Sequence, residues 1–305
     1  MSGHQVGGII SSTQLEVVET PEKPVFVFYI FIKTVDYDGY GFKYCSVMRQ
    51  IENFKGERSF SDLPVVPFEF SKSRDFLKTT IRENGEWFCK LAKGRHFMNY
   101  EGPLLRWVQV GNCLQAETIM ANGRVMIDLP SFALMNPNYN MGNAKPPNKC
   151  DIELLGEFYL KEEDEEEYCQ VTPALVYGFS FTLKEWGQFL VFGFSAIKFD
   201  KEAFNHLVMS QDKKDILRGL VGQYIKSNDP TKQLDPIPNK GKGCIFLCHG
   251  PPGTGKTLTA ESVAEFLEQP LWVINIHELG MNPTSYVVFK HKILLYLQVL
   301  VLFPL

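Results

Sequence analysis

From Val25 to Val35 the run VFVFYIFIKTV places β-branched and aromatic residues at nearly every position, which predicts a strand. Asp38-Gly39 is a tight-turn pair, and Phe42–Ile51 alternates loosely after it, so the two runs predict a β-hairpin. Gly56, Asp62-Leu63-Pro64 and Pro67 punctuate further short strands. Ser71 suits the N-cap of a helix reaching about Asn84, with Phe76, Thr80 and Ile81 on one face and Gly85 as its stop. Trp87, Phe88 and Leu91 predict a second helical stretch, closed by Gly94. Asn122-Gly123 then turns into a strand over 124–128. Residues 1–24 show little periodicity and read as a flexible lead-in, whereas 25–135 read as an α+β domain with an antiparallel sheet.

Residues 136–173 read as a loop followed by an acidic linker. The stretch 136–148 is Asn, Gly, Pro and Lys, and the run from Lys161 to Glu167 is almost wholly acidic. Such a run is a solvated linker or, alternatively, a docking tail for a basic partner. Residues 174–240 precede the last domain, with mixed strands around Trp186. There Gln211–Lys226 predicts an amphipathic helix whose stripe is Ile216, Leu217, Leu220, Val221 and Tyr224. A Pro/Gly/Lys hinge covers 228–242.

Length and charge change this picture in two ways. At 305 residues, 45% hydrophobic and 22% charged, the chain has material for about two buried cores and is no disulfide framework. Its net charge is −4, yet residues 151–170, where nine acids face one lysine, alone carry −8. The flanks are each near +2, so no basic field points to nucleic acid. Seven cysteines with no Cys-x-x-Cys pair predict free thiols and an intracellular, cytoplasmic setting. The longest apolar run, Ile293–Phe303, would span about 16 Å as a helix, short of the roughly 30 Å of a bilayer core, so no membrane span is expected.

Candidate chemistry concentrates in CIFLCHGPPGTGKT, residues 244–257. The run 245–248 suits a buried parallel strand. Gly250, Pro251, Pro252, Gly253, Thr254, Gly255, Lys256 and Thr257 match the phosphate-loop pattern G-x-x-x-x-G-K-[ST] at every fixed position. Leu258 continues into a helix over 257–267 with Ala260, Val263, Ala264 and Leu267 on one face, and 273–276 predict a second strand. The residue types follow from the ligand. Gly253 and Gly255 let the backbone curl so that N–H groups face phosphate oxygens. The helix start adds unpaired N–H groups and a positive dipole end. Lys256 brings a flexible point charge, and the Thr257 hydroxyl is a hard oxygen of the kind Mg²⁺ accepts. Cys244, Cys248 and His249 read as core filling rather than a metal site, and the other histidines lack ligand spacing. The Trp and Tyr residues read mainly as packing, and no nucleophile motif such as G-x-S-x-G occurs.

The segment GPPGTGKTLTAESVAEFLEQPLWVINIHELG resembles the ATPase core of AAA-type proteins. With FDKEAFNHLV, VDYDGYGFKY, SDLPVVPFEF and NGRVMID it resembles a fungal group of these ATPases that has an uncharacterised N-terminal domain. The resemblance implies an α/β P-loop domain starting at 241–284, with ATP and Mg²⁺ bound at residues 250–258 and the metal on Thr257. It also implies hydrolysis coupled to remodelling of a partner in a ring of six identical subunits. The family pattern continues to an Asp-Glu strand end, a sensor residue, a trans-acting arginine and a helical lid. Residues 279–305 contain no Asp or Glu, and no Arg follows Arg218. The expectation is thus an incomplete P-loop domain that at most binds ATP, with hydrolysis absent or feeble. The hydrophobic 285–305 read as a replacement core element, a partner-binding tail, or a coding sequence that leaves its frame or enters an unspliced intron near 285–288. A second functional reading is a non-catalytic interaction protein working through its N-terminal domain with a vestigial loop.

Overall fold

The apolar run at Val25 forms the middle of a fourteen-residue strand, β2 (Pro24–Tyr37), which turns at Asp38 into β3 (Phe42–Glu52). This is the hairpin its sequence predicts. A computed structural model describes residues 7–19, 24–71, 73–111, 113–139, 141–144, 159–161, 164–227, 244–251, 253–273 and 299–302. The chain is mixed α/β and divides into units 1–195 and 196–305.

The lead-in reading of 1–24 needs correction. Ile9–Glu19 is a strand, β1, antiparallel to β2 from Ile9 opposite Lys33 to Glu19 opposite Pro24. All eleven of its residues are exposed. The edge of β2 provides its hydrogen-bond partners, so no burial pattern announces it.

The hairpin corner is fixed electrostatically. Asp38 is fully buried and accepts from the Tyr40 and Gly41 amides (3.1 and 3.2 Å), the Lys43 ammonium (2.8 Å) and the Tyr159 hydroxyl (3.1 Å). Two residues earlier, Asp36 borders a small cavity with Phe88 and Tyr177. Burial raises its carboxyl to about 7, against the pull of the Tyr37 amide and Lys43.

A single helix, α1 (Arg74–Ala92), replaces the two predicted stretches, with Ser73 rather than Ser71 at its N-cap. Gly85 does not stop it. A Cβ at that position would collide with the carbonyl oxygen of Cys169, so glycine serves a close approach between chain segments. Gly94, at φ +82°, ends the helix turn as expected.

Beyond α1 come β4 (His96–Val110) and β5 (Cys113–Ile127), paired along their whole length. Asn122-Gly123 therefore lies inside a strand and is not a turn, although Gly123 keeps φ +121°. Then follow α2 (Leu129–Met135), α3 (Glu165–Tyr168), β6 (Leu175–Ser180), β7 (Glu185–Leu190) and β8 (Phe194–Ser195). Strands β4–β5–β6–β7 pair in sequence and β7 returns to β4, so the antiparallel sheet closes on itself, with β8 beside β4. At its centre the Tyr100 hydroxyl donates to Pro103 O (2.6 Å) and accepts from the Leu190 amide (3.2 Å), while its ring meets Phe189 edge-on.

These pairings move the predicted boundaries. Residues 174–195 belong to the first unit, because β6 to β8 complete its sheet. The acidic segment is not a solvated linker over 164–171. Tyr168, Cys169 and Val171 are buried in the same core as Phe88, Cys89 and Leu91. The predicted amphipathic helix is present as α4 (Gln211–Ser227). Of its predicted stripe, buried Val221 and half-buried Leu217 pack with Phe204 and Leu207, Ile216 and Leu220 are exposed, and the side chain of Tyr224 lies outside the described residues. Among the described residues no helix is long and apolar enough to cross a membrane.

Three outcomes follow for stability. Gly85→Ala gains about 1 kcal/mol of helix propensity but loses more to overpacking, so chemical denaturation should show net destabilisation of about 1–3 kcal/mol. Asp38→Ala leaves the part-buried turn amides and Lys43 unpaired, and the same assay should show a loss of roughly 2–4 kcal/mol. The Asp36 value lies above the ordinary 3.8, so the folded chain retains a proton that the unfolded chain has released. Its contribution is present at acid pH and is lost as pH rises from about 4 to about 7; Asp36→Asn should flatten that part of a Tm-versus-pH curve.

Candidate phosphate-binding loop

The strand–loop–helix order predicted for residues 244–267 is the one observed. Strand β9 (Cys244–Leu247) leads into the glycine loop, and helix α5 (Lys256–Leu267) follows it. Strand β10 (Val299–Leu302) pairs with β9 in parallel, Val299 opposite Cys244 and Leu302 opposite Leu247. Four residues of the hydrophobic tail thus lie in a strand beside β9. The predicted second strand falls on Val273, which is outside any strand, and on 274–276, which lie outside the described residues.

The loop conformation depends on its glycines. Gly250, Gly253 and Gly255 have φ of +148°, +82° and +82°, a region where side chains with a Cβ are strained. Gly255 occupies the N-cap of α5, so the chain turns directly from a left-handed residue into the helix. The Lys256 ammonium donates to the carbonyls of Gly250 (2.7 Å) and Pro251 (2.9 Å) and so lies across the loop. Thr254 Oγ1 donates to Pro251 O (2.9 Å), bracing the same turn. Thr257 and Leu258 are exposed at the helix start, and Pro252 lies outside the described residues.

Helix α5 is anchored from behind. Ala260, Val263, Ala264 and Leu267 are buried, the face the sequence predicts, and Val263 and Leu267 pack against Phe204, Leu207 and Val221. Glu261 is exposed, whereas Glu265 accepts from the Asp200 amide at 2.9 Å. Glu265 is therefore a partner for the segment before α4, a role that its i, i+4 spacing from Glu261 did not reveal. Glu268, at φ +54°, closes the helix by donating its amide to the Ala264 and Glu265 carbonyls.

The arrangement fits a phosphate chain. Helix N–H groups, left-handed glycines and a lysine on a flexible stem converge at one end of a twelve-residue helix. His249 is exposed, so the core-filling reading fails for it, and Cys248 is half-buried with its thiol raised by burial. Among the described residues it is Cys89, Glu165 and Cys169, in the other unit, whose possible ligand atoms lie within 4.8 Å of one another. Sequence reasoning missed it because the two cysteines are 80 positions apart.

Residues 246–294 match the family described as ATPase family associated with various cellular activities (AAA), and residues 2–72 match a domain of unknown function (DUF7025). No curated protein and no solved structure matches the chain. The first of the two family matches lies on the phosphate-loop segment and the second takes in β1 to β3.

Proposed function

We propose that the chain binds Mg·ATP through Gly250–Thr257 as part of an AAA-type ATPase. The observation that carries this reading is the junction at Gly255-Lys256. A left-handed glycine opens an anchored helix, and the first helical residue is a lysine whose ammonium already lies over the loop. Backbone N–H groups of 253–257 would surround the phosphates. Lys256 would exchange two carbonyl acceptors for charged phosphate oxygens, a stronger pairing. The Thr257 hydroxyl would hold Mg²⁺, which neutralises phosphate charge when bound. Assembly into a ring and remodelling of a protein partner belong to the same proposal through the AAA-type resemblance.

A second reading, an interaction protein working through its first unit, is favoured by the exposed Leu15, Val17, Phe26, Tyr44 and Met48 of β1 to β3.

Titration with a fluorescent ATP analogue separates the two. Lys256→Ala should weaken binding by at least about tenfold, the scale of a charge-assisted contact of about 1.5–3 kcal/mol. Equal affinity of wild type and variant, or no binding by either, contradicts nucleotide recognition at this loop.

A further inference from the structure

Two helical turns in the first unit face each other with complementary residues at i, i+4. On α1 and its C-cap these are Cys89 and Lys93; on α3 and the 3₁₀ turn that continues it (169–171) they are Glu165 and Cys169. The pairs meet crosswise. Cys89 Sγ lies 3.3 Å from Cys169 Sγ, and Lys93 Nζ lies 2.8 Å from Glu165 Oε2. The two sulfurs and a Glu165 carboxylate oxygen all fall within 4.8 Å of one another. We propose that Cys89, Cys169 and Glu165 form a binding site for a thiophilic divalent cation of the Zn²⁺ type.

Geometry favours a metal over a cross-link. Two sulfurs about 2.3 Å from one tetrahedral ion stand about 3.8 Å apart, so the observed pair needs to open by only about half an ångström. A disulfide at about 2.05 Å requires closure by more than twice that distance. Cys169 is already held in place, since Gly85 packs against its carbonyl and Thr172 Oγ1 donates to the same oxygen at 2.9 Å. Cys89 and Cys169 are buried, but the Glu165 side chain is 34% exposed, which leaves an entry path on the carboxylate side.

Charge also balances. On coordination each thiol releases its proton to solvent, and two thiolates, one carboxylate, the Lys93 ammonium and a divalent ion sum to neutrality, as burial requires. Glu165 has two oxygens, so one can serve the metal while the other keeps Lys93, which orients the ligand from outside. Water would complete a tetrahedral set of three protein ligands.

The test uses the full 305-residue chain, reduced, freed of metal by chelation and titrated with Co²⁺. One equivalent should produce an intense near-ultraviolet thiolate-to-cobalt band, and Zn²⁺ should displace it. Cys89→Ser and Cys169→Ser should each abolish the band, while Cys45→Ser and Cys248→Ser keep it. Glu165→Gln, at a partly exposed position, tests the site even if a buried cysteine variant fails to fold. It should retain both thiolates and weaken Co²⁺ by roughly tenfold or more. Absence of the band, its survival in both cysteine variants, unchanged affinity in Glu165→Gln, or a Cys89–Cys169 disulfide in place of bound metal would overturn the proposal.

Discussion

The contact of Gly85 with the carbonyl of Cys169 is the constraint on which the first unit turns. It brings the middle of α1 within backbone distance of the chain beyond the acidic run. Once that seam is set, Tyr168 reaches Phe42 beside the hairpin turn, and Val171 leads into β6 beside the closed sheet. One missing Cβ thus fixes the sheet, the helix and the hairpin relative to one another. The same seam brings together two thiols, a carboxylate and an ammonium that local sequence keeps apart.

The second unit follows a different logic. Its helix α5 is clamped from behind by Phe204, Leu207 and Val221, so the loop at its N-terminus has a rigid base. Anion recognition requires little else from side chains, because backbone amides and the helix dipole provide most of the field. Lysine is the exception. Its ammonium rests on the Gly250 and Pro251 carbonyls, which holds the charge at the mouth of the loop.

The sequence was most informative where backbone conformation and residue type coincide. Gly250, Gly253 and Gly255 are glycines because their φ values demand it, and the loop, its helix and the buried face of that helix were all readable. The β2–β3 hairpin was readable for the same reason. What escaped was set by distant pairing. β1 has no buried residue to mark it, and its order comes from the edge of β2. Gly85 looked like a helix stop because its role lies 84 positions away in Cys169. β6 to β8 looked like a prelude to the last domain because strand order in a closed sheet is not encoded locally.

Amide hydrogen exchange of the full chain, with and without Mg·ATP, tests the central claim most directly. If residues 250–259 bind phosphate, their amides exchange more slowly with nucleotide present, and Lys256→Ala removes the effect. Uniform exchange across those residues in both conditions, or protection that persists in Lys256→Ala, would contradict nucleotide binding at this loop.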